Sequence, residues 1–320
     1  MVPLLACPLI MIFDNVSLGF GLVSGFFWLG GAVVAYKLGL LLLGDKDLAA
    51  IVSLSYTTAP ILLYMGAAVL TDSAGFFFIG LTIYLTLKRE QQESVSSKTY
   101  FLDALIVCFG ILFREVVFFA LVFMLSRRLI KKKGFLEMLL AAILVGVFEL
   151  MFLSMLGLDV SIFVNKYSVA RQMYYYSSDS WGLIPYLQSL WGAYVIRLAA
   201  PQPYFVSLSF WVWTAPILVF GTLGLLGFVF GSRRKDLLMC LLFLFPGSVV
   251  WPRMRPRFSF CMWPVVIPAM IIGMDFVFSK LPFFAHRNPW RYKICMYLCI
   301  LALAIVNTVN IVINYRSLII

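Results

Sequence analysis

Long apolar runs separated by short polar or basic stretches pattern this chain from end to end. The runs fall near 16–43, 49–68, 73–87, 100–113, 116–130, 135–157, 206–230, 236–251, 259–279 and 293–315. Most are long enough for a hydrocarbon layer of about 30 Å. Each predicts an α-helix, because lipid leaves the backbone no hydrogen-bonding partner but itself. The runs at 73–87, 100–113 and 116–130 are short, so they predict either upright helices or half-helices that meet inside the membrane. Residues 1–13 lack the basic start of a signal peptide and read as part of the mature chain. The one long connector, 158–205, carries Lys166, Arg171, Tyr174, Tyr175, Tyr176, Asp179, Trp181 and Trp191. That aromatic content predicts a folded cap, although the single tyrosines suit a headgroup belt equally well. The pattern gives an all-α fold, a polytopic integral membrane protein of about ten transmembrane helices. It divides into N-terminal membrane helices at 1–157, a cap at 158–205 and C-terminal membrane helices at 206–320. No internal repeat is visible.

Composition strengthens this reading. Of 320 residues, 63% are hydrophobic and only 12% are charged, with a mean hydropathy of +0.99. A soluble domain would need about a quarter charged. The net charge of +11 would suit a nucleic-acid binder, but the basic residues sit in the connectors between apolar runs, so no nucleic-acid partner is expected. Seventeen of the 25 Lys and Arg residues fall on one side, in connectors around Lys37–Lys46, Lys88–Lys98, Arg127–Lys133, Arg233–Lys235 and Lys280–Lys293. The positive-inside bias makes that side cytoplasmic and puts the cap outside. Both termini then lie outside, with no preceding span to carry the first across. Either a first span is missing or separately encoded, or a short uncharged tail crosses unaided. The six cysteines form no CxxC pair, and the one histidine, His286, lies in a basic connector. No zinc site, disulfide framework or histidine-based triad is expected.

Ionisable groups at a membrane edge are candidates for chemistry. Asp72 lies in a tight outer turn, LTDSAGFFF, where it can cap the following helix or serve as a ligand. Arg114 and Glu115 are adjacent between two short apolar runs, an environment in which each needs a polar partner. Arg253, Arg255 and Arg257 lie two apart on an outer loop, against the charge bias. Guanidinium matches phosphate oxygens in a fork, so this cluster points to a lipid-linked phosphate or to anionic headgroups. Asp14, Glu149, Asp159 and Asp179 complete the outer acids, which could supply a base or divalent-metal ligands. No defined metal site or cofactor emerges from their spacing. The RRLIKKKG stretch at 127–134 reads as a topology anchor.

Four stretches together resemble the GT-C fold membrane glycosyltransferases, which use polyprenyl-phosphate sugars and include protein mannosyltransferases and lipid A aminoarabinose transferases. Residues 36–85 resemble that family's helix, inner G-D loop, P-L helix and outer Asp turn. Residues 110–133 resemble its broken helix pair followed by a basic inner loop. The long connector and the R-P-R-F start of a late helix at 255–268 complete the likeness. The family's usual catalytic acid lies in a first outer loop, and residues 1–14 resemble only the end of one. The resemblance implies transfer of a sugar from a polyprenyl-phosphate donor to an acceptor on the outer face, by a truncated, relocated or inactive version of the site. It implies membrane lipid and a polyprenyl-phosphate-linked sugar as partners. Arg114, Arg253, Arg255 and Arg257 would bind the phosphate, and Asp72, Glu115 or Asp14 would be the base. The other reading of the same arginines is a transporter or flippase for an amphipathic anion.

Overall fold

The computed structural model describes residues 2–58, 72–114, 116–155, 222–249, 262–281, 290–302 and 305, and every regular element among them is an α-helix. In chain order these are α1 (Val2–Phe13), α2 (Val16–Leu43), α3 (Lys46–Thr58), α4 (Asp72–Glu90), α5 (Ser97–Ile111) and α6 (Val117–Lys131). They continue as α7 (Phe135–Met155), α8 (222–230), α9 (Arg234–Val249), α10 (Trp263–Lys280) and α11 (290–302). The expected cap at 158–205 and the arginine loop at 250–261 lie outside the described residues.

Helix ends follow local side-chain chemistry. Asn15 caps α2 by accepting from the Leu18 N–H at 2.9 Å, and Ser96 caps α5 by accepting from the Thr99 N–H at 3.2 Å. Lys132 ends α6 in the left-handed conformation, its N–H donating to the Arg128 and Leu129 carbonyls. Helix α4 runs past its apolar stretch through Lys88, Arg89 and Glu90, because long charged side chains favour helix and can reach water from its end.

The helices alternate in direction. Side chains set α2 and α4 in parallel register, with Ser24 beside Ser73, Gly30 facing Phe77 and Val34 facing Gly80. Helix α3 packs on α2 as the return between them. The bundle continues with α6 on α4, α9 on α6, and α10 on α2 and α3. Helices α5 and α6 form an antiparallel hairpin, since Arg128 near the end of α6 donates to the Tyr100 carbonyl near the start of α5 at 3.2 Å. The alternative of end-to-end half-helices does not hold for this pair.

Among the described residues, three helices are long and apolar enough to cross a membrane: α2, the Phe135–Phe152 part of α7, and α10. Two of them present apolar stripes outward. Leu22, Phe26, Leu29 and Val33 are exposed along α2, and Leu136, Leu140, Ile143, Val147 and Met151 along α7. Faces of this extent are lipid-contacting surfaces, and they mark the chain as a membrane protein. Residues 2–13, which the sequence aligns with the end of an outer loop, instead form α1. At about 18 Å it is too short to cross. It lies against α2 with Ala6 fully buried, and a Cβ at Gly19 would come within 2.5 Å of Ile10. Much of the rest of its apolar surface, including Leu5, Met11, Ile12 and Phe13, is exposed.

Helices α8 and α10 approach until their backbones touch. A Cβ at Gly227 would lie 1.7 Å from the Ala269 carbonyl oxygen, and one at Gly273 would lie 1.9 Å from that of Leu223. Paired small residues four apart bring membrane helices into this kind of contact, where dispersion can act between main chains.

Candidate functional site

The two ends of the bundle differ in chemistry. At the first, the predicted basic connectors are gathered and cross-linked. Arg89 holds Asp103 with two bonds, 2.6 and 3.1 Å. Arg127 donates from Nε to Glu90 at 2.6 Å and from Nη2 to Asp236 at 3.0 Å, joining α4, α6 and α9. Lys293 bridges Asp45 and Asp47, the latter at 3.1 Å, and Tyr297 donates to the Asp47 carbonyl at 3.0 Å. Burial works against the charged form of Asp45, but bonds from Lys293 and from the Leu48 and Asp47 N–H groups outweigh it and hold the carboxyl below its usual range.

Toward the opposite end the described residues form a cluster of aromatic rings, and Arg114 follows one of them in the chain. Phe113 stacks on Phe78 with centroids 5.3 Å apart and meets Phe27 edge-on at 5.1 Å. Phe109 meets Phe113 at 5.8 Å. These contacts fix the break between α5 and α6, where Arg114 is half-buried. The Arg114 N–H donates to the Gly110 carbonyl at 3.2 Å, and its carbonyl accepts from Val117 at 3.1 Å. Beside this break runs an open groove of about 770 Å³ between α4, α5 and α7, lined by apolar side chains that include Phe77, Phe78, Phe109 and Phe148. Two of these rings, Phe78 and Phe109, touch Phe113, the residue next to Arg114. The apolar groove is therefore linked through Phe78 and Phe109 to Phe113, the chain neighbour of Arg114, and on its α7 side it includes Val147 and Met151 of the outward stripe.

The other predicted site residues are distributed unevenly. Asp72 begins α4, and Ser73 after it is buried and shares a hydrogen bond of 3.0 Å with Ser24. Phe78, six residues on, lies about 9 Å further along the same helix and contacts Phe113, so the start of α4 and the Arg114 break belong to one end. The side chain of Asp72 lies outside the described residues, as do Glu115, Arg253, Arg255 and Arg257. Asp14 is exposed in the turn between α1 and α2 with φ 48°, a left-handed conformation that Asp tolerates better than most residues. Its position there is that of a turn residue. Among the described residues no group of three His, Cys, Asp or Glu side chains is arranged to hold a metal ion.

No family model matches this chain, and comparison with curated proteins and with solved structures finds no similar protein.

The sequence did not point to the acids of the basic end. Asp103, Glu90 and Asp236 each lie beside or within an apolar run, and only the fold brings each to an arginine. A lone carboxylate in a membrane segment is the signal that could have found Asp103. The groove left no comparable signal, because phenylalanine and leucine are as common on a lipid-facing stripe as in a binding cleft.

Proposed function

We propose that this chain is a multi-pass membrane protein of about ten spans with its basic end in the cytoplasm. In this reading it acts at the outer face as a GT-C-like glycosyltransferase, moving a sugar from a polyprenyl-phosphate donor to an acceptor. The carrying observation is the apolar groove whose Phe78 and Phe109 touch Phe113, the residue before Arg114; in this reading the groove takes a long hydrocarbon chain and Arg114 the anion. The bias of basic residues supports the orientation. The arginines at 253, 255 and 257, on the loop leading into α10, would complete the phosphate site.

The acceptor hydroxyl oxygen attacks the anomeric carbon of the donor as the bond from that carbon to the phosphate oxygen breaks. The phosphate leaves with the bonding electron pair, and its growing charge is met by Arg114 and the loop arginines. The hydroxyl proton passes to a carboxylate, for which Asp72 and Glu115 are the candidates beside Arg114 and Asp14 is the more distant one. Transport of an amphipathic anion would call for polar side chains exposed at mid-depth. In the described helices, the buried Thr82 and Thr86 instead donate back to their own helix, to the carbonyls of Phe78 and Thr82.

The test is binding of a polyprenyl phosphate and of the matching neutral polyprenol to the purified protein in nanodiscs. The phosphate is expected to bind more tightly, with Arg114→Ala and Arg257→Ala each losing roughly tenfold to a hundredfold and Arg257→Lys intermediate. Equal affinity for the two lipids, or alanine variants that bind like the parent, would remove the donor-site reading.

A further inference from the structure

The basic end contains a second cavity of about 240 Å³, enclosed by the ends of α4 and α6, the start of α5 and the connectors after α4 and α6. Its volume equals that of roughly eight waters, enough for a phosphate group and its nearest substituents. Two of its guanidiniums are committed, Arg89 to Asp103 and Arg127 to Glu90 and Asp236. Arg128 differs. Its side chain lies in the wall and the residue is only 6% exposed, yet among the described residues no carboxylate pairs with it. Its Nη1 donates to the carbonyls of Tyr100 and Gly134, both at 3.2 Å, and the guanidinium lies 5.1 Å above the Tyr100 ring.

Those contacts orient the fork without neutralising it. The Gly134 turn holds them in place, with φ 70° and a backbone so near Tyr100 that a Cβ would fall 2.6 Å from the ring. Nε and Nη2 of Arg128 make no hydrogen bond among the described residues. Lys131 and Lys133 also line the cavity, and Glu93 is its one acid not held by an arginine. Asp103, already bonded to Arg89, and Glu137 attract Arg128 only through space, so a buried guanidinium beside two further cations has no anion in direct contact.

We infer that this cavity binds a phosphate oxyanion, held by Arg128 with Lys131 and Lys133. At the headgroup end of a membrane bundle, that phosphate can come from an anionic lipid or from solution. The inference is independent of the glycosyltransferase reading, whose site is at the other end.

The test uses the full chain, purified in detergent and incubated with equal amounts of dioleoyl phosphatidylglycerol and dioleoyl phosphatidylcholine. Retained lipid is counted by native mass spectrometry, and inorganic phosphate binding is measured by titration in neutral-lipid nanodiscs. Because Arg128 is buried and its variants could fail to fold, the decisive substitutions are at exposed positions. Lys133→Gln removes a cavity cation. Lys132→Asn removes the same charge one residue away, outside the cavity, and suits the left-handed backbone there. Phosphatidylglycerol or inorganic phosphate is expected to bind about tenfold more weakly to Lys133→Gln, with little change for Lys132→Asn. A phosphatidylglycerol adduct that survives millimolar phosphate assigns the site to a lipid headgroup, and one displaced by it assigns the site to the free anion. Equal losses in the two variants would reduce the effect to diffuse surface charge and overturn the inference. So would the absence of both a phosphatidylglycerol preference and inorganic phosphate binding.

Discussion

Asp103 is 5% exposed and sits two turns into α5, and among the described residues its one ion pair is with the Arg89 fork. Deleting the carboxylate leaves a part-buried cation at the membrane edge with only the neutral Gln92 amide oxygen, 2.9 Å from Nη1, to meet it. Breaking a buried pair from one side typically costs about 3–5 kcal/mol, whereas replacing both partners with apolar residues is often neutral. Asp103→Ala is therefore expected to lower the thermal unfolding midpoint in detergent clearly, and Arg89→Leu with Asp103→Leu to restore most of it. A single variant as stable as the parent would show that the pair holds nothing together. Sequence alone made Arg114 visible, because a charged pair between two apolar runs stands out. It left Asp103 unremarked, because its value depends on which helix end folds back on α5.

At the scale of the element, α8 and α10 meet through absent side chains. An alanine at Gly273 would place its Cβ 1.9 Å from the Leu223 carbonyl oxygen, so the helices must separate. Gly146 of α7 has open space where a Cβ would go. Gly273→Ala is expected to cost about 1–3 kcal/mol, the range for overpacking, while Gly146→Ala should be neutral or slightly stabilising. Thermal unfolding in nanodiscs would distinguish them, and equal midpoints would deny the close approach. The sequence was most legible at this scale. The run at 16–43 matches α2 at both ends, and those at 116–130 and 135–157 match α6 and α7 to within two residues, because a long, mainly apolar stretch bounded by charge or a capping residue leaves few alternatives. Helix α1 was missed, since a 12-residue apolar segment without a polar face carries no period and is too short to suggest a span.

For the whole molecule, the expectation of one basic end agrees with the ion pairs that tie its connectors together, and which side of a membrane that end faces is open to direct test. In a background without native cysteines, Ser178→Cys is expected to react with an impermeant maleimide on intact cells. Lys132→Cys should react only after permeabilisation. The reverse pattern would invert the orientation and move the proposed phosphate-sugar chemistry to the wrong face. The division into two ends was legible from charge, while the groove beside Arg114 was not, because it arises from the spacing of three helices rather than from any one of them. The pairing of Asp45 and Asp47 with Lys293 also sets a timetable for biogenesis. Asp45 precedes Lys293 by 248 positions. At a synthesis rate of roughly 5–20 residues per second, the two acids wait about 12–50 s for their cation. Until α11 is made, the loop between α2 and α3 carries two carboxylates without this cation.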